Sequence, residues 1–115
     1  MTDKQILQVY AEAANYTDPN VYASDILTSS ILLDPEDPEQ EIPLELADQL
    51  RTLWHVANDS FKALLERMGL NQTQCATRFC IPLRTVQDWA SGKSSASPYI
   101  RLMMAELTGL VRLHG

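Results

Sequence analysis

The 115-residue sequence predicts an all-α fold, a helical domain built around two short crossed helices and preceded by a helical extension. Three observations lead there. Apolar residues recur at steps of three and four along the longer segments, the spacing of one helix face. Cap signatures, a polar residue followed by proline or by Gln three positions on, mark helix starts at Thr2, Asp18 and Ser97. The run from Thr28 to Leu33, which can be read as a strand, has no second strand to pair with.

The extension covers residues 1–42. Thr2-Asp3-Lys4-Gln5 is a capping box that opens a helix reaching about Asn15, with Ile6, Leu7, Val9, Tyr10 and Ala13 on its apolar side. Asp18-Pro19 opens a second helix, and Tyr22, Ile26 and Leu33 roughly follow one stripe through 19–33. The alternative for its end is a strand completed by a second copy of the chain. Residues 34–43 hold three prolines and five acids, so lost backbone donors and mutual repulsion favour an extended linker. That linker sets the expected domain boundary at 42/43.

The second part, 43–115, begins with Ala47, Leu50, Trp54, Ala57, Phe61, Leu64 and Met68 at alternating steps of three and four, a heptad-like seam. Unbroken, a helix over 43–68 spans roughly 39 Å. Its first half, with Trp54, either forms a dimer contact or packs on the N-terminal helices, and Asn58-Asp59 is a possible break. Met68-Gly69 ends the helix. The last helix starts at Ser97-Pro98, with Ile100, Met103, Met104, Leu107, Leu110 and Val111 at core spacing and the methionines as apolar filler.

Between these lies the most informative stretch, Gln72 to Trp89, which reads as two short helices joined by a tight turn. Cys75, Ala76, Phe79 and Ile81 line the inner side of the first helix and the turn, and Val86 and Trp89 lock the second helix across it. Ala76 is small because the two backbones approach most closely there. Pro82, Leu83, Arg84, Gln87 and Asp88 remain outside. These residues resemble the phage-repressor-like helix-turn-helix family, the Xre and Cro type, over about Phe61 to Val111. Leu70, Asn71 and Gln72 stand where that family opens the first helix of the motif, and Trp89, Gly92 and Lys93 fit the end of its recognition helix. Two positions depart from the pattern: Cys80 occupies the usual glycine of the turn, and Ala90 follows the Trp where Glu is common. Cys80 must then accept a positive φ at a cost of roughly 1 kcal/mol.

The resemblance implies a lambda-repressor-like helix-turn-helix helical bundle with the N-terminal helical extension added to it. The function it implies is a sequence-specific, repressor-like transcriptional regulator. Such a protein binds double-stranded DNA as a homodimer, on a palindrome with half-sites about 34 Å apart. With the recognition helix at about 82–90, Arg84 is placed for a bidentate contact to guanine and Gln87 for one to adenine. Leu83 is placed against a thymine methyl. Asp88 either accepts from cytosine, orients Arg84, or simply pairs with it across one helical turn. Gln72, at the N-terminus of the first helix of the motif, faces a phosphate or a base edge. Thr73, Thr85 and Lys93 are the phosphate candidates.

Charge sets limits on that function. The chain carries a net charge of −6, but residues 1–42 hold nine acids and one base, whereas 43–115 hold eight bases and six acids. Only the second part is locally positive, so weak non-specific binding and poor binding as a monomer are expected. Enzyme activity is not expected: His55 and His114 stand beside no nucleophile, and the four glycines are scattered rather than gathered into a phosphate loop. No cofactor or metal is expected either, since Cys75 and Cys80 are five apart, face different directions and lack partners for zinc. With no secretion signal pattern and no apolar stretch of membrane length, a cytoplasmic location is expected. An alternative reading is an antitoxin or protein-interaction module whose acidic first 42 residues bind a basic toxin, DNA binding serving autorepression. Another is that the fold serves only as an interaction scaffold.

Overall fold

The computed structural model describes residues 2–29, 32 and 45–112, and every regular element among them is helical. The chain forms two compact units, one made of Met1–Asn58 with Val111–Gly115 and the other of Asp59–Leu110.

In the first unit, helix α1 (Asp3–Glu12) starts at the expected capping box. The Gln5 N–H donates to the Thr2 hydroxyl at 3.2 Å, and the Gln5 side chain accepts from the Thr2 N–H at 2.9 Å. Ile6, Val9, Tyr10 and Ala13 are buried at i, i+3, i+4 and i+7, one continuous stripe. Leu7, expected on that side, falls off the stripe and is exposed. The helix tightens into a 3-10 turn, Ala13–Asn15. Asp18 then caps α2 (Pro19–Thr28) by accepting from Asn20 N–H at 2.7 Å, and Pro19 fills the first helical position, where no donor is needed. Tyr22, Ala23 and Ile26 are its buried residues.

Residues 19–28 are therefore helix. Extended backbone at Ser29 ends it, short of the expected reach to residue 33. Leu33, the acidic proline-rich linker and the 42/43 boundary lie outside the described residues. Helix α3 (Glu45–Asn58) belongs to the first unit and packs mainly on α2, with further contact to the 3-10 turn and α1. It buries Leu50, Leu53 and Val56. Trp54 donates its indole N–H to the Tyr16 carbonyl at 2.9 Å, and Asn58 donates to the Ala13 carbonyl at 3.1 Å. The first bond satisfies the carbonyl of the residue that ends the 3-10 turn, and the second adds to the bond that the Ala13 carbonyl already accepts from the Tyr16 N–H. Trp54 is thus engaged within the first unit, as the intramolecular reading required. The unit closes where the Arg112 N–H donates to the Gln49 side chain at 2.8 Å.

A single helix over 43–68 does not form: α3 stops at Asn58, and Ser60 caps a new helix, α4 (Phe61–Met68), through the Ala63 N–H at 3.2 Å. The rest of the second unit is α5 (Gln72–Phe79), α6 (Leu83–Ser91) and α7 (Pro98–Leu107). Ser97 caps α7 as expected. Phe61, Leu64, Leu65, Cys75, Ala76, Val86, Ala96, Leu102, Met104 and Ala105 are its buried apolar residues. Each large side chain among them is worth roughly 1.5–3 kcal/mol on burial. Along α7 the expected inner set is only partly correct: Leu102, Met104 and Ala105 are buried, whereas Met103 and Leu107 are exposed. Apolar residues surround most of this helix, so spacing alone does not select its inner face.

Candidate nucleic-acid interface

Helices α5 and α6 are joined by the three residues Cys80, Ile81 and Pro82. They pack against each other, and α4 also packs on α6. Asn71 caps α5 in a reciprocal arrangement, its side chain accepting from Gln74 N–H at 2.7 Å while the Gln74 side chain accepts from Asn71 N–H at 2.9 Å. Inside, Cys75 and Ala76 are buried, and Phe79 and Ile81 are half-buried. Burial pushes the Cys75 thiol pKa upward, so this sulfur stays a neutral packing group.

Cys80 has the expected left-handed backbone, φ 55° and ψ 42°. That conformation turns the chain so that the Ile81 N–H reaches the Ala76 carbonyl at 2.9 Å, and the Cys80 N–H the Thr77 carbonyl at 3.4 Å, closing α5 with two bonds. Pro82 then begins α6, its carbonyl accepting from Thr85 N–H at 3.0 Å and Val86 N–H at 3.3 Å. Val86 is fully buried, and Trp89 meets the Phe61 ring edge-on with centroids 5.2 Å apart. These two anchors fix which side of α6 turns outward.

The outward side holds the residues singled out from sequence. Leu83 and Gln87, one turn apart, form one exposed row, and Arg84, exposed, and Asp88, half-buried, form the next. The Arg84 side chain is 75% exposed, and its Nε lies 3.4 Å from Asp88 Oδ1. Asp88 therefore biases the orientation of Arg84 only slightly, through a long and weak surface ion pair. Thr85 is half-buried at the start of α6, and Lys93 is exposed just past Gly92, which ends the helix at φ 82°. Gln72 and Thr73 occupy the first turn of α5, Gln72 half-buried and Thr73 exposed. Free backbone N–H groups and the positive end of the dipole are available in that turn.

Three other cations of this unit are structural, whereas Lys62 is exposed on α4. Arg67 pairs with Asp59 at 2.9 Å, Arg101 donates to the Asp59 carbonyl, and Arg78 donates to the Leu107 carbonyl at 2.9 Å. Sequence reasoning assigned none of these, because every partner lies beyond one helical turn, at separations of 8, 42 and 29 residues. Over residues 59–110 six bases meet four acids, so the excess positive charge is small. Among the described residues no group of three or more His, Cys, Asp or Glu is placed to hold a metal ion, and no helix is long and apolar enough to cross a membrane. No family model matches the chain, and no curated protein or solved structure matches it.

Proposed function

We propose that the chain is a sequence-specific DNA-binding regulator of the lambda-repressor-like helix-turn-helix type, with α6 as the helix that enters the major groove. One observation supports this above the others. Leu83, Arg84 and Gln87 stand exposed on the side of a short helix whose other side is anchored by Val86 and Trp89. A guanidinium and a carboxamide on such a helix match the donor and acceptor edges of guanine and adenine, and an exposed leucine matches a thymine methyl. Lys93, Thr73 and Thr85 then hold phosphates, and Gln72 presents the first turn of α5 to the backbone of the duplex or to a base edge. With so few cations available, affinity rests on base contacts and on two copies acting together at adjacent half-sites.

The test is selection from a pool of genomic DNA fragments at rising salt. The wild-type chain retains a discrete set of fragments, and Arg84→Ala and Gln87→Ala each lose that selection while folding normally. Absence of selection by the wild-type chain at every salt concentration overturns the proposal.

A second reading draws on charge. The first unit carries eleven acids against three bases, a composition suited to a basic protein partner such as a toxin, with DNA binding serving autorepression. A basic partner bound through this unit is released by salt and unaffected by Arg84→Ala. Binding that is indifferent to salt overturns this reading.

A further inference from the structure

Helices α5, α6 and α7 do not close completely against one another. Between the end of α5, the turn that follows it and one side of α7 lies an open cleft of about 440 Å³, walled by Phe79, Ile81, Trp89, Ile100 and Met104. Its volume falls within the range of about 300–1,000 Å³ usual for small-ligand sites, and its walls, like theirs, are almost wholly apolar. Water finds few hydrogen-bonding partners against such walls, so an apolar occupant gains by displacing it.

One cation stands at this cleft. Arg78, in the last turn of α5, is exposed and donates a guanidinium N–H to the Leu107 carbonyl at 2.9 Å, and its Cζ lies 5.9 Å from the centroid of the Phe79 ring. These two contacts hold the guanidinium at the cleft wall without consuming it. The carbonyl takes one N–H of several, and among the described residues no carboxylate pairs with Arg78.

We propose that the cleft binds a free amphipathic carboxylate of the medium-chain fatty-acid class, its apolar body against Trp89, Ile100 and Met104 and its carboxylate on Arg78. The apolar walls supply affinity and the guanidinium supplies the choice of head group. A carboxylate gains charge-assisted hydrogen bonds there, an alcohol of the same length makes only neutral ones, and an ammonium is repelled. Arg84 and Gln87 line no part of the cleft, so the assignment does not rest on the DNA reading. Trp89 belongs to both the cleft wall and the edge-on contact with Phe61, so the occupant touches a ring that anchors α6.

The test titrates decanoate, decanol and decylammonium into the full chain, each below the concentration at which it forms micelles. Binding is read from the methyl NMR signals of Met103 and Met104, which line the cleft, with Met68, which does not, as internal control. Decanoate is expected to shift the first two saturably and to bind at least about tenfold more tightly than decylammonium and several-fold more tightly than decanol. Arg78→Gln, checked for unchanged helicity and melting, loses the preference for decanoate and binds decanol as the wild-type chain does. A measurement that needs no variant uses Cys80, which is exposed and lines the cleft, while Cys75 is buried. Saturating decanoate is expected to slow alkylation of Cys80 several-fold. Absence of a saturable shift, equal affinity for the three compounds, or a carboxylate preference that survives in folded Arg78→Gln overturns the proposal. Protection of Cys80 that rises with protein concentration and ignores decanoate gives the cleft to another copy of the chain and overturns it equally.

Discussion

The hydroxyl of Tyr22 donates to the main-chain carbonyl of Val9 at 2.5 Å, and both residues are fully buried. The bond follows from how α1 ends. As the helix tightens into the 3-10 turn, the Ala13 N–H goes to the Tyr10 carbonyl instead of that of Val9. The carbonyl left over is the one Tyr22 reaches from α2. Tyr22→Phe keeps the ring but orphans a buried acceptor, and a cost of about 1–3 kcal/mol in denaturant unfolding is expected.

The same tyrosine predicts how stability responds to alkali. Burial raises its pKa first, and the nearby Glu12, Tyr10 and Tyr16 raise it further. In the unfolded chain a tyrosine ionises near pH 10. The native state therefore holds this proton longer than the unfolded state, and its contribution is complete below about pH 10 and declines as pH rises beyond it. Unfolding curves collected upward from about pH 10 are expected to show stability falling in the wild-type chain and a flatter profile in Tyr22→Phe.

At Cys80 the backbone is left-handed, a region where a Cβ is strained, and the side chain is exposed and so contributes little packing in return. Cys80→Gly is expected to stabilise the chain by about 1 kcal/mol, and Cys80→Val to destabilise it by at least as much. Thermal melts of the two variants, displaced in opposite directions from wild type, check the turn geometry without reference to function.

On the candidate interface, the residues are expected to separate by the kind of effect. Arg84→Ala or Gln87→Ala relaxes discrimination at one base pair by about 1–3 kcal/mol. Lys93→Ala weakens all duplexes alike and lowers the slope of log affinity against log salt by about one. Asp88→Asn removes an acid that repels phosphate and slightly loosens Arg84, so it tightens non-specific binding while blurring selection. Competition binding with specific and random duplexes at two salt concentrations distinguishes the three.

Much of this was readable from sequence because it depends on local chemistry. Thr2, Asp18, Asn71 and Ser97 each cap the helix they were expected to start, since a short polar side chain before a helix has few other uses. The outward side of α6 was readable too, because Arg84 and Gln87 cannot be buried without partners. Two features were not. The seam from Ala47 to Met68 continues in phase across Asn58, Asp59 and Ser60, because Ala57 and Phe61 are four apart whether or not the helix runs between them. The spacing therefore leaves a break at Asn58-Asp59 as one of two readings, and the cap at Ser60 decides for it. On α7 the apolar residues nearly encircle the helix, so only tertiary contacts decide that Leu102 and Ala105 go inside and Tyr99 and Leu107 do not.

The division of the chain also bears on the order in which its parts can form. Asp59–Leu110 is one uninterrupted stretch, whereas the other unit draws on residues from both sides of it. The pairing of Gln49 with Arg112 closes a loop of more than sixty residues, an entropic cost that neighbouring segments never face. During biosynthesis the DNA-reading candidate can therefore complete itself while its acidic companion still waits for a segment synthesised later. Trimming the chain back to Leu110 should consequently loosen the companion first and leave α5 and α6 standing.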